Sequence, residues 1–200
     1  AIFIMFLVRP HIAGIMIIAL AFSIVLSTKI SLMRRIMMGI VTLVITSALV
    51  PFALQYAGIS DPSSSESLMD FVEGRQSVNM GGGSSIDIAS MSLPMQMFTY
   101  AFRPTLIEVR NVFSLAAAID NLILLYLFIA GSYALLIKKH QSFNENRKFM
   151  WAYVFLTWIV LAMTTANLGI ALRQKWMFTP ILIFLLISLI GKERNRNSSR

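Results

Sequence analysis

Arg9, Arg103, Arg110 and Arg173 each stand at or near the end of an apolar run, while Asp120 and Asn121 lie inside one. The planar guanidinium fork matches phosphate, carboxylate or pyrophosphate groups, so arginines gathered at one end of a bundle read as binders of such anions. Arg103 and Arg110 are seven residues apart. On a continuous helix that spacing puts them within about 20° of one face, although Pro104 between them breaks or kinks such a helix. Asp120 and Asn121 fall about six residues, roughly 9 Å, into their run. Thr164, Thr165 and Asn167 lie at similar depth before Arg173. An ionised aspartate is costly in hydrocarbon, so Asp120 is expected to face the bundle interior or a wet cavity and to pair with an arginine. His11 and Glu108 are the alternative general bases. The competing reading is that arginines at helix ends snorkel to headgroups without a ligand, and that His11 is only a hydrogen-bonding partner.

The elements that must carry these residues are apolar helices. The 200 residues are 57% hydrophobic and 13% charged, and runs near twenty residues long exceed what a soluble core helix needs. The pattern predicts an all-α, polytopic transmembrane bundle. Its five spans are Ile12 to Thr28, Ile36 to Tyr56, Ser114 to Ile137, Phe149 to Leu172 and Trp176 to Ile190, the last so short that it implies tilt or partial embedding. The domains follow as 1–56, two spans; 57–113, a loop; 114–191, three spans; and 192–200, a basic tail. The cations Lys29, Arg34, Arg35, Lys138, Lys139, Arg147, Lys148 and those of the tail share one face, which the positive-inside bias makes cytoplasmic. The 57–113 loop is then extracytoplasmic and the C-terminus cytoplasmic.

Within the loop, Asp61 to Ser65 start a turn and Gly81 to Gly83 form a flexible connection, so its first half reads as mobile. From Leu93 to Phe113, apolar and aromatic residues mixed with Arg103, Glu108 and Arg110 suit a helix lying in the membrane interface. Ala116 and Ala117 offer a small-residue strip for close helix approach. Trp151, Trp158 and Trp176 read as bilayer anchors. The net charge of +8 comes from short clusters between apolar runs, which argues against nucleic acid. Without cysteine, and with two histidines far apart, no metal site and no cofactor are expected.

Arg9-Pro10-His11 leading into a span, Gly82-Gly83-Ser84-Ser85-Ile86-Asp87, Phe102-Arg103-Pro104 followed by Glu108, and the stretch from Asn167 to Lys175 together resemble polytopic membrane proteins of bacterial exopolysaccharide and O-antigen gene clusters. The resemblance covers most of the chain and such proteins are typically longer at the amino end, which agrees with an opening apolar run that looks like the end of an earlier membrane segment. Members are regarded as O-antigen polymerase-like. The resemblance implies an inner-membrane, metal-independent glycosyltransferase working at the outer face on undecaprenyl-pyrophosphate-linked glycans, beside membrane lipids and other polysaccharide-assembly proteins. By analogy it makes Arg9, His11, Arg103, Glu108 and Arg173 site positions. The arginines would hold the donor pyrophosphate, and His11 or Glu108 would deprotonate the acceptor sugar hydroxyl.

Two other classes stay open. Intramembrane Asp120 and Asn121 suit a transporter or channel, although the inner halves of the spans are poor in polar residues. A noncatalytic subunit anchoring an export or defence complex would use the loop or the tail for docking.

Overall fold

A computed structural model describes residues 10–27, 31–56, 65–79, 84–88, 90–137 and 145–191. Arg9, the Asp61–Ser64 turn, the Gly81–Gly83 connection and the 192–200 tail lie outside the described residues, as does the side chain of His11. The fold is all-helical: α1 Pro10–Val25, α2 Leu32–Tyr56, α3 Ser65–Asn79, α4 Leu93–Phe102, α5 Val112–Ile137, α6 Glu145–Thr164, α7 Leu168–Gln174 and α8 Thr179–Ile190. Single 3-10 turns occupy Leu106–Glu108 and Lys175–Met177. Among the described residues the one β feature is an isolated antiparallel bridge, Ser85 to Asn167.

Helix α5 has 26 residues, about 39 Å at 1.5 Å per residue, and is by length and composition able to cross a membrane on its own. Its open face carries Leu122, Ile123, Tyr126, Ile129 and Leu136, all exposed, which is the surface a helix shows to hydrocarbon. The Leu168–Met177 segment and α8 reach the same length and apolarity only together, bent by 62°. Among the described residues, one helix is long and apolar enough to cross a membrane, or two if the bent pair counts as a single span.

Helix α6 is the hub, packing against α1, α3, α4, α7 and α8, while α5 lies against α4 and α8. The core is built from Val154, Trp158, Phe178, Leu182, Leu185 and Leu186, all essentially buried. Trp158 sits edge-on to Phe102 and Phe128 with centroids 6.0 and 5.8 Å away, and stacks on Phe178 at 5.9 Å. Such pairs add about 0.5–1.5 kcal/mol each beyond buried area. The Trp158 indole donates to the Met97 carbonyl at 2.9 Å, joining α6 to α4. Gly131 lets α5 meet α8, since a Cβ there would stand 2.6 Å from Leu186 Cδ2.

Several sequence expectations change. The run from Phe149 to Leu172 is not one continuous helix. Helix α6 ends at Thr164, and Thr165 to Asn167 run extended before α7. The short fifth run is the far arm of the 62° bend. Residues 65–79, read as part of a mobile segment, form α3, fastened to α6 where Gln76 Nε2 donates to the Met163 carbonyl at 2.8 Å. The helix that begins at Leu93 stops at Phe102, as Pro104 required. Trp158 is a core residue, 4% exposed, and not a bilayer anchor. The close approach on α5 is at Gly131, whereas Ala116 is exposed.

Candidate functional site

A cavity of about 680 Å³ opens where the 103–111 loop, the start of α5, the 84–86 segment and α7 converge. Its wall includes Arg103, Glu108, Arg110, Asn111 and Ser114 on one side, with Ser84, Ser85 and Gly169 on the other. Two breaks in helical structure create it.

The first break follows α4. The Arg103-Pro104 peptide is cis, and Pro104 can neither donate a backbone hydrogen bond nor continue a helix. The chain leaves as a 3-10 turn that Glu108 organises from the far end: its Oε2 accepts from the Thr105 N–H at 2.8 Å and the Thr105 hydroxyl at 3.1 Å. Glu108 Oε1 accepts from Arg103 Nε at 2.8 Å and also from Nη2, forming an ion pair. The guanidinium beside it holds the Glu108 carboxyl down at about 2. At that value a carboxylate is a weak proton acceptor at neutral pH. In the closed pair Glu108 is a counter-ion, and base work requires the pair to open. Helix α5 then begins with reciprocal capping: Asn111 Oδ1 accepts from the Ser114 N–H at 2.8 Å, and Ser114 Oγ accepts from the Arg110 and Asn111 N–H groups at 2.9 Å.

The second break is Thr165 to Asn167. Asn167 caps α7, its Oδ1 accepting from the Gly169 and Ile170 N–H groups at 2.9 and 3.3 Å and from the Ser84 hydroxyl at 2.9 Å. Backbone bonds from Ile86 N–H to Ala166 O, 2.9 Å, and from Leu168 N–H to Ser84 O, 3.0 Å, pin the 84–86 segment across the break. Thr165 donates to Gln174 Oε1 at 2.8 Å.

The sequence-predicted residues divide accordingly. Arg103, Glu108 and Arg110 share the cavity wall, although Arg103 and Arg110 lie on no common helix. Asn167 stands behind the wall as a helix cap. Arg173 is exposed, donates from Nε to the Gly169 carbonyl one turn back at 3.3 Å, and is not in the lining. Asp120 is exposed on α5 and pairs with no arginine by a described salt bridge, contrary to the expectation for it. Its neighbour Asn121 turns inward instead, 1% exposed, donating to the Pro104 carbonyl at 3.0 Å and accepting from Lys175 Nζ. Asp120 acts on that ammonium through space.

Sequence reasoning missed Lys175, which is 5% exposed. Next to Arg173 and Trp176 it reads as a loop charge. The signal available was Asn121, a buried amide that needs a donor as well as an acceptor. Ser84 and Ser85 stood in a quoted motif but were not assigned to the site. Among the described residues no cluster of histidine, aspartate and glutamate suits a metal ion. Comparison with protein-family models, curated proteins and solved structures finds no match.

Proposed function

We propose that this chain is part of a membrane glycan polymerase or ligase that uses an undecaprenyl-pyrophosphate-linked oligosaccharide at the outer face of the bacterial inner membrane. In this reading the protein is multi-pass, the 57–113 loop is extracytoplasmic and the C-terminus is cytoplasmic. The observation that carries it is the joint presence of Arg103 and Arg110 in the wall of one cavity of about 680 Å³ at the α4–α5 junction, at the end of the helix best able to cross a membrane. The motif resemblance supplies the substrate class.

The chemistry is a glycosyl transfer. The acceptor hydroxyl oxygen bonds to the donor anomeric carbon as the bond from that carbon to the pyrophosphate oxygen breaks. Undecaprenyl pyrophosphate leaves, and the hydroxyl proton passes to a base. Arginine donors offset the charge that grows on the leaving group, and the 84–86 segment on the opposite wall covers the sugar. Glu108 takes the proton once a ligand phosphate competes for Arg103, and His11 is the alternative base.

The test is the glycan chain-length profile of a host lacking this gene, complemented at matched membrane abundance. Wild type restores polymer, whereas Arg110→Ala leaves single repeat units, with activity lower by about 10²-fold, the scale of losing one charge-stabilising donor. Full-length polymer from Arg110→Ala and Arg103→Lys alike would sink the proposal.

A further inference from the structure

Lys175 sits in the 3-10 turn between α7 and α8 with its side chain out of solvent. An ammonium in that position is costly unless its hydrogens find acceptors, and the acceptor it has is Asn121 Oδ1. Asn121 is itself buried, and its Nδ2 donates to the carbonyl of Pro104 at 3.0 Å. Pro104 belongs to the cavity wall, between Arg103 and the turn that carries Glu108.

The order of this relay follows from donor and acceptor chemistry. A side-chain amide can offer either its oxygen or its NH2 to a neighbour, and the partners decide which. Lysine has donors only, so it takes the oxygen. The NH2 is thereby left for the Pro104 carbonyl, which can only accept. With Lys175 removed, the buried Asn121 oxygen loses its donor, and the Pro104 carbonyl, which can only accept, is left to hold the amide by itself.

We propose that Lys175 is a positioning residue of the cavity: acting through Asn121, it holds the Pro104 carbonyl and so the register of the segment bearing Arg103, Glu108 and Arg110. The site then depends on a cation it does not expose. Helix α5 contributes the amide, the α7–α8 bend contributes the ammonium, and the loop hangs from both. The inference rests on the anion-site reading for its ligand measurement but not for its loop measurement.

Asn121→Asp separates this role from simple core packing. An aspartate still accepts from Lys175, as a charged pair, but has no hydrogen to give Pro104. In the full chain in detergent, three readouts are compared: thermal midpoint, hydrogen exchange of the 105–110 amides, and affinity for inorganic pyrophosphate. The expected result for Asn121→Asp is an unchanged midpoint, amide exchange faster by about tenfold, and pyrophosphate affinity weaker by about tenfold. Lys175→Met shifts both loop readouts in the same direction, and Lys175→Arg, which keeps a donor, restores them. Wild-type exchange and affinity in Asn121→Asp would overturn the inference. So would a loss of midpoint that fully accounts for the faster exchange, since core packing alone would then explain it. If wild type binds no pyrophosphate while Asn121→Asp still loosens the loop, the positioning role stands and the anion reading of the cavity falls.

Discussion

Two cavities of similar size lie toward opposite ends of α5, one with a mixed polar and apolar wall and one almost wholly apolar. The one at its start, about 680 Å³, has a mixed wall, with arginines, a glutamate, serines and an asparagine beside Ile86, Ile107, Val109, Phe113, Leu168 and Leu172. The one near its other end, about 570 Å³, is lined by Ile18, Phe22, Phe128, Trp151, Phe155 and Leu186 among others, with Lys148 and Ser132 the polar exceptions. Lys148 turns its ammonium to the Leu26 carbonyl at 2.6 Å. The difference traces to backbone continuity. Around the apolar groove α5, α6 and α8 run unbroken and their backbone groups satisfy one another, so that, Lys148 and Ser132 apart, side-chain hydrocarbon faces the gap, and where α1 ends beside it Lys148 takes the Leu26 carbonyl. Around the polar cavity two elements stop, at Phe102 and at Thr164, and the N–H groups at the starts of the turn, α5 and α7 that follow need acceptors, which Glu108, Asn111, Ser114 and Asn167 provide. A helical bundle acquires a polar site where its helices end.

That contrast can be broken most severely at Trp158, which touches both regions through Phe128 on the groove side and Phe102 beside the polar loop. Trp158→Ala should cost about 3–5 kcal/mol, read as a lower thermal midpoint together with faster exchange at both ends of α5. Gly131→Val acts on the groove side alone. Its side chain meets Leu186, and overpacking there should cost about 1–3 kcal/mol in a melt while leaving pyrophosphate affinity within error of wild type. Asn167→Ala is the converse. It removes the α7 cap and the Ser84 anchor for about 0.5–2 kcal/mol, and it should loosen the polar cavity with no change in exchange around Phe128.

The gentlest perturbation is acid. The Glu108 carboxyl is held below its usual 4.5, at about 2, by Arg103. Its contribution to the turn is therefore complete above 4.5 and is lost as pH falls toward about 2. Protection of the Thr105 amide should decline over that window in wild type but not in Glu108→Gln, and the apolar groove should not respond. A decline of equal size in Glu108→Gln would show that the loop is held by something other than this ion pair.

Much of the helical scaffold was legible from the residues. The apolar runs behind α1, α2 and α5 are long, the shorter one behind α8 is uninterrupted, and Pro104 marks the end of α4, because helix length and proline blocks are local properties of a chain. The break at Thr165 to Asn167 was not legible. Those residues carry no proline or glycine, and the break is held by bonds to Ser84 and Ile86, far away in the chain. The mobile reading of residues 65–79 failed for a related reason, since Gln76 reaches Met163 on α6.

For the site, the residue types alone put Arg103 and Arg110 with Arg9 and Arg173 as anion binders and offered Glu108 beside His11 as a base, because charge and residue type are visible in the sequence. The meeting of Arg103 and Arg110 on one wall came from a loop and not from the shared helix face that the spacing implied. Tertiary structure alone decided that Asp120 faces outward while Asn121 turns in, that Arg173 folds back on its own helix, and that Lys175 is buried. Whether a charge is buried depends on whether distant groups can satisfy it, and for Lys175 the answer lies on another helix, at Asn121. Composition and run length determined that this protein is built of apolar helices; only packing could decide which of its polar residues face the cavity and which hold it open.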